Sequence, residues 1–486
     1  MKTTPLLLKS DCKTEIPRQM FTDINLDKLI SEASVKILQS PCGKDEILLR
    51  QEFFTVLNNS EKYASVEKCL KILIEEERLF KAWNNAETET ESSFLRKQAL
   101  EAYVRSEKIL SAMTDCGKLF FDISTYFSSP ERISKVFEIE EDMKKAEDLL
   151  RQISKSVISF SGQTVIAPDT DIRSEIDILS ETAKKVGFFL PEKKELKPHL
   201  PKSISNALVN LYPSQINELK SIFEKYSETK FKEHLIYIPQ IQFFLEIFEL
   251  VKKAERNGIT HCLPTVCSER KYIAKETYDI ALLAKNCKNI IPNDIEFTEQ
   301  EPFCFLIGAN GGGKTSYLRT VAINLILFLS GCPIFAKEAE IFPFEFATTH
   351  FPKDERFDES GRLDEELKRA GEIVKTAENK DSFLFFNETF SGTDEKRGLD
   401  LLEEICEKIN KNRNFGLYVT HFHQVTQFDF PVLSAQIDES DENKRTYKIK
   451  KSKGTASSYA SDILKKYGLD KNSLLERIKN NDKSTI

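Results

Sequence analysis

The stretch Phe303-Cys-Phe-Leu-Ile-Gly308-Ala-Asn-Gly-Gly-Gly-Lys314-Thr-Ser-Tyr-Leu-Arg-Thr320 carries the decisive signal. Five apolar residues of strand length run straight into a glycine cluster. Lys314-Thr315 follows, and then a helix-compatible segment. Gly308 to Thr315 satisfies G-x-x-x-x-G-K-[ST] in the strand-loop-helix context that the motif requires. Glycines let successive backbone N–H groups face an anion without a Cβ in the way. The helix N-terminus adds partial positive charge. Lys314 is expected to reach the β- and γ-phosphates of a nucleotide, and Thr315 to place its hydroxyl on Mg²⁺. The candidate nucleotide contacts are therefore Gly308, Ala309, Asn310, Gly311, Gly312, Gly313, Lys314, Thr315 and Ser316.

Phosphate chemistry also needs an acidic group at the end of a neighbouring strand. Phe383-Leu-Phe-Phe-Asn387-Glu388 supplies one. The first residue of such a pair is usually Asp. Asn387 keeps an acceptor oxygen but no charge, which predicts weaker Mg²⁺ binding, and Thr315 and Asn387 are the candidate metal ligands. Glu388 is the candidate base or water-orienting residue. A third short apolar run, Gly416 to Thr420, ends in His421, positioned to sense a γ-phosphate; its neighbour His423 is assigned no role. Lys314, Glu388 and His421 form the candidate catalytic set.

Outward from these strands, the texture is strand alternating with helix, which argues for βαβ units and a parallel sheet. In Gly361 to Glu378, residues Leu363, Leu367, Ala370, Val374 and Ala377 share a helical face; so do Leu399, Leu402, Ile405 and Ile409 further on. Before about Arg256 the chain reads as helical. Glu61 to Trp83, Ser92 to Met113 and Arg132 to Val157 have apolar residues at helical spacing and Glu/Lys on the polar faces. Phe188 to Pro201, with three prolines, reads as a loop. Gln215 to Glu255 reads as a long amphipathic helix interrupted at Pro239.

With 486 residues, two or three domains are expected. A net charge of -7 argues against a strongly basic nucleic-acid clamp, although local patches can hide in such a sum. The 10 cysteines are scattered singly, as in a reduced cytosolic protein. Cys262 and Cys267 beside His261 lack the spacing of a zinc knuckle. Leu6 to Leu8 is too short for a signal peptide. Thr320 to Ala336 is apolar but broken by Gly331 and Pro333, and fits a buried helix on a sheet better than a membrane span. A cytoplasmic protein without a membrane partner is expected. Leu329-Ser330-Gly331 resembles the start of a transporter ATPase signature but lies just after the glycine-loop helix, whereas that signature lies shortly before the acidic strand.

The motif extends beyond its generic form. Gly308-Ala-Asn310-Gly-Gly-Gly-Lys-Thr-Ser-Tyr317-Leu-Arg319 resembles the MutS phosphate loop through Asn310, Tyr317 and Arg319. Ser330 to Ile341 resembles the following MutS segment, with Ala336 and Ile341 in register. Asn387-Glu-Thr-Phe-Ser-Gly392-Thr393 resembles the family's D-E-x-x-x-G-T, and Thr420-His-Phe422 its T-H-[YF]. Ile290 to Ile295 looks like the strand entry that flanks the adenine. Gly454 to Lys479 resembles the closing helix-turn-helix segment, and Gly43 to Asn59, with Arg50-Gln51, the core-domain pattern.

The resemblance implies an all-α core/lever region over residues 1–256. A MutS-type, ABC-like α/β P-loop ATPase domain over 257–486 would follow it. It implies ATP and Mg²⁺ as cofactors, DNA as a partner, and a homodimer or heterodimer that closes through the ATPase domains on binding ATP. Departures accompany it. No mismatch-reading domain or Phe-x-Glu wedge is apparent. The family's trans-acting Ser-Thr-Phe reads Gly361-Arg362-Leu363, with Glu366 keeping a later carboxylate. The expectation is a short MutS-related ATPase whose DNA binding is insensitive to a single mismatch, or else a nucleotide-binding scaffold that hydrolyses weakly. Arg362 is expected to reach toward a partner's γ-phosphate. An ATPase of the chromosome-maintenance or transporter class is disfavoured by Tyr317 and Arg319.

Overall fold

The computed structural model describes residues 14–86, 89–154, 158–160, 163–165, 212–226, 232–285, 287, 289–352, 359–437 and 445–452. The expected loop at Phe188 to Pro201 and the closing helix-turn-helix segment lie outside them. The chain divides into two compact units. The described parts of Asn59–Ile241 form one; those of Leu8–Asn58 and Gln242–Ile486 form the other. The division is thus not at residue 256. The early segment packs with the α/β unit because it finds its apolar partners and buried hydrogen bonds there.

That early segment contains α1 (Arg18–Asp23), α2 (Glu32–Leu38) and α3 (Lys44–Leu57). Arg50 and Gln51 of α3 are both buried. Gln51 donates through Nε2 to Pro264 O at 2.9 Å, and Arg50 through Nη1 to Ser330 O at 3.2 Å.

The helical unit holds α4 (Ser60–Asn84), α5 (Glu89–Ser111), α6 (Lys118–Phe127), α7 (Pro130–Ser154), α8 (Pro213–Glu224) and α9 (Lys232–Leu235). It also includes the short strands β1 (Ile158–Phe160) and β2 (Gln163–Val165), paired antiparallel. Its core gathers residues such as Leu100, Tyr103, Ile139, Met143 and Phe223. Inside lies a charged network. His234 is fully buried, with Nδ1 3.0 Å from Glu76 Oε2 and Nε2 3.1 Å from Glu107 Oε1. Arg132 bonds both Glu107 and Glu233.

The helix expected over Gln215 to Glu255 is three helices, the last being α10 (Tyr237–Arg256). Pro239 does not break it. It sits in the first turn of α10, where a missing N–H costs nothing. By length and composition, the stretch Glu233–Arg256 is a described segment long and apolar enough to cross a membrane, and its Phe243, Phe244 and Ile247 are buried in the protein.

The strands of the α/β unit are β3 (Thr265–Val266), β4 (Tyr272–Thr277), β5 (Asn293–Phe297), β6 (Phe303–Ile307), β7 (Glu338–Ile341), β8 (Phe346–His350), β9 (Ser382–Asn387), β10 (Phe415–Val419), β11 (Val432–Ile437) and β12 (Arg445–Lys451). Six make one sheet in the order β12-β11-β6-β10-β9-β8, parallel except for the β11–β12 pair. The order β3-β7-β4-β5 makes the second. β6, β8, β9 and β10 are buried at every position, which is why β6, β9 and β10 read as largely apolar runs rather than alternating ones.

The helix expected after the glycine loop is α11 (Lys314–Leu329), buried almost throughout. The helices that follow it in the chain are α12 (Glu359–Thr376) and α13 (Glu395–Lys411). From these, Leu363, Ala370, Val374, Leu402, Ile405 and Ile409 join Phe303, Phe305 and Phe386 of the sheet in one core. Leu399 packs at its edge. Leu367 does not join; it stays 36% exposed at the margin of the apolar stripe. Gly331 closes α11 with φ 72°. Leu329-Ser330-Gly331 is therefore a helix end, with Arg50 on the Ser330 carbonyl, where a cation is favoured.

Candidate functional site

The carboxyl ends of β6, β9 and β10 lie side by side, because these strands are parallel and adjacent. Whatever follows each strand is thus brought to one edge, the place where open α/β sheets hold ligands. The glycine loop follows β6. Gly308, Gly311 and Gly313 have φ of 133°, 73° and 94°, a region where a Cβ is strained. Gly313 is the N-cap of α11.

Lys314 is 4% exposed and folds back over its own loop. Its Nζ donates to Gly308 O at 2.8 Å and Ala309 O at 3.2 Å, and lies 3.4 Å from Asn310 Oδ1. Burial pushes its pKa below the ordinary lysine value; Glu388 opposes that and Arg445 adds to it.

Thr315 and Asn387 meet. Thr315 Oγ1 is 3.4 Å from Asn387 Oδ1, and Asn387 is buried at the end of β9. Glu388 donates its backbone N–H to Val419 O at 2.8 Å, tying it to β10. Its Oε1 is 2.8 Å from His421 Nε2, with both side chains about one-third open to solvent. The bond from His421 holds the Glu388 carboxyl below the usual range, against the opposing effect of burial. The sequence-derived catalytic trio and metal pair are therefore on one edge, with Lys314 close enough to Glu388 for their charges to interact.

Ser316 is held elsewhere, by a side-chain bond to the buried Asp279. Tyr317 and Arg319, which extended the motif, do not face the loop's ligand side. Tyr317 donates to Asp294 O at 2.9 Å, and Arg319 to Asp23 O at 3.3 Å, so both anchor α11 to its surroundings. Nothing is described of the Arg362 side chain; the residue lies in the first turn of α12.

Sequence reasoning missed the β11–β12 hairpin. A Cβ placed on Gly308 or Gly312 would meet Ala435 Cβ at 2.9 or 3.0 Å. One placed on Gly313 would lie 3.4 Å from the Tyr447 ring. Tyr447 has φ 55° and is half exposed. Asn293 clips this strand to β5, donating to Tyr447 O at 3.0 Å and accepting from Ile449 N at 2.8 Å. The only hint in the sequence was the Asn293-Asp294 of the strand entry; nothing pointed to Ala435 or Tyr447.

A hydroxyl and an amide oxygen are hard, neutral donors. They suit a small divalent cation that keeps most of its shell from water and phosphate. Glycines with positive φ at a helix N-terminus suit a phosphate. The residues present thus fit both groups.

The class these features define is a multidomain protein with a helical unit and an α/β unit. The latter sets a Gly-Lys-Thr loop at the carboxyl edge of a parallel sheet. Residues 304–479 match the MutS domain V family. A DNA mismatch repair protein MutS from Bacillus licheniformis is 26% identical over 256 residues, 50% of this chain and 27% of that protein. An Endonuclease MutS2 from Streptococcus suis is 22% identical over 393 residues, 78% of this chain and 48% of that protein. A DNA mismatch repair protein MutS from Listeria monocytogenes is 25% identical over 316 residues, 62% and 36% of the two chains. This chain spans about half or less of the length of these relatives. Its likeness to MutS and MutS2 proteins is centred on the domain V match at residues 304–479.

Proposed function

We propose that the α/β unit binds ATP with Mg²⁺, hydrolyses it, and uses the difference between nucleotide states to control a dimer acting on DNA. One observation carries the reading: Lys314, the Thr315–Asn387 pair and the Glu388–His421 pair converge on one sheet edge. Lys314 would leave its loop carbonyls for the phosphates, exchanging three oxygens of the protein for those of the ligand. Thr315 and Asn387 would hold Mg²⁺, which when bound neutralises charge on the transferring phosphate. Glu388 would orient and deprotonate the attacking water, and His421 would fix the Glu388 carboxylate and face the γ-phosphate. The ring of Tyr447, beside Gly313, offers a face on which the base can stack.

Dimer closure is part of this proposal and is supported by the resemblance of the loop and acidic strand to a family whose sites are composite. Only an interaction that differs between nucleotide states can do work on the helical unit. The test is Lys314→Ala, with ATP affinity and turnover measured side by side. Both should fall, turnover by about 100-fold or more, because a full positive charge on the phosphate is lost. Unchanged affinity and turnover would remove the loop from the mechanism. Tight ATP binding with no turnover in the parental protein would instead favour a nucleotide-held scaffold.

A further inference from the structure

The turn that carries Glu388 is held by residues outside the glycine-loop and acidic-strand motifs. Immediately after β9, Glu388 and Phe390 both have positive φ, 54° and 63°. Neither is glycine, so the Cβ of each is crowded against backbone, and such conformations persist only where the surroundings enforce them. Three side chains from three elements do so. Glu366 of α12 is 5% exposed, and its Oε2 accepts from Phe390 N at 2.8 Å. His350 at the end of β8 is fully buried, with Nδ1 2.9 Å from Thr389 Oγ1. Tyr418 of β10 donates to Thr389 O at 2.8 Å. The Phe390 ring is buried in the core beneath.

We infer that Glu366 and His350 are positioning residues for Glu388: they hold the Glu388–Ser391 turn in the strained form that keeps the Glu388 carboxylate beside His421. This rests on the reading of Glu388 as the water-orienting group. The geometry leaves little other purpose for a buried carboxylate at this place. A relaxed turn, with φ negative at Glu388, would swing its side chain off the sheet edge and break the 2.8 Å contact to His421. His350 acts by shape and hydrogen bonding rather than by charge. Burial, aided by the nearby Arg369, pushes its pKa down to about 3, so the ring is neutral at any working pH. Because Glu366 belongs to α12, a shift of that helix is passed directly to the turn. The segment that departs most from the family's trans-acting signature is the start of that same helix.

Two substitutions test it. Glu366→Ala removes the acceptor from a buried N–H; Thr389→Val removes only the hydroxyl that meets His350 and keeps the shape. Each should lower kcat by roughly 10- to 100-fold with ATP affinity within about twofold. Glu366→Gln, which keeps an oxygen in place, should restore most of the turnover. A second readout needs no turnover. With six histidines in the chain, selective ¹⁵N labelling can resolve His421. Its ring resonances in Glu366→Ala should move toward those of Glu388→Gln, since both lose the same contact. Parental kcat and parental His421 resonances in both Glu366→Ala and Thr389→Val would overturn the inference. So would a loss of ATP binding in step with kcat, which marks a general structural role. A parental protein without turnover would instead refute the hydrolytic reading, and the His421 resonances would still decide the positioning.

Discussion

On the proposed reading, Asn387 leaves the metal side of the site one negative charge short. Its amide oxygen faces Thr315, so geometry is retained and only electrostatics is changed. Asn387→Asp is expected to lower the Mg²⁺ concentration for half-maximal turnover several-fold, since a carboxylate attracts the ion where an amide does not. A flat Mg²⁺ titration would mean that the site has adapted to the amide. Glu388→Gln keeps the shape but not the base. ATP should remain bound while turnover drops by about 100-fold or more, measured as phosphate release against nucleotide retention. At this scale the sequence was informative where residues sit in contiguous motifs: Lys314, Thr315, Asn387, Glu388 and His421 were singled out there, and the structure brings them to one sheet edge. Ala435 and Tyr447 matter through contacts made across the fold, which no local pattern encodes; Glu366 was legible as a carboxylate after the altered signature, but its bond to Phe390 N was not. Tyr317 and Arg319 were legible as motif residues, yet their hydrogen bonds anchor a helix instead of touching the ligand side.

The parallel strands and their order explain why the site assembles at all. β6, β10 and β9 must lie in register, and Gly416 is the tightest point of that register. A Cβ there would lie 2.5 Å from Leu384 O and 2.8 Å from the Phe303 ring. Backbone cannot yield as a flexible side chain can. Gly416→Ala is therefore expected to destabilise the α/β unit by about 1–3 kcal/mol, read as a lower urea midpoint with an unchanged slope. An unaltered midpoint would show that β10 can shift without cost. The apolar runs of β6, β9 and β10 were plain in the sequence because strands buried on both faces leave no polar alternation to confuse them. Short or half-exposed strands such as β3 and β7 were not. The Leu367 misplacement has the same origin: periodicity gives the direction of a stripe but not its width.

At the scale of the whole molecule, the two compact units are expected to answer to different stimuli. In the helical unit, burial alone would depress the His234 pKa, but the Glu76 and Glu107 carboxylates override it and raise the value to about 9. Its ordinary unfolded value is near 6.5, so the stabilisation is full below about pH 6.5 and is lost as pH rises through about 9. Glu107 runs the other way. Burial opposes it, but bonds from His234 and Arg132 hold its pKa below the usual range, so its contribution is lost on acidification. A thermal transition of the helical unit should therefore move down by several degrees between pH 6.5 and 9.5. Mg²⁺-ATP should raise only the transition of the α/β unit, by ligand linkage. Scanning calorimetry at both pH values, with and without nucleotide, checks this. A helical transition that is level from pH 6.5 to 9.5 would sink the buried-charge account. The helical texture of this region was visible in the sequence. The unit boundary was not, because residues 14–58 read like the helices that follow them and differ only in which core they join.

The fit of Ala435 against Gly308 and Gly312 bears on how such a sequence can drift. Two empty positions in the loop and one methyl on β11 occupy a single space, although the chain writes them far apart. A change at either place is therefore expected to be felt at the other. In descendants that still use the loop, position 435 is free to shrink to glycine but closed to Val, Leu or Phe, however well those suit a strand. A lineage that gave up its nucleotide would be released from this restriction at once. Bulk arriving at position 435 would then be an early mark of that loss, readable before the Lys314 motif itself had decayed.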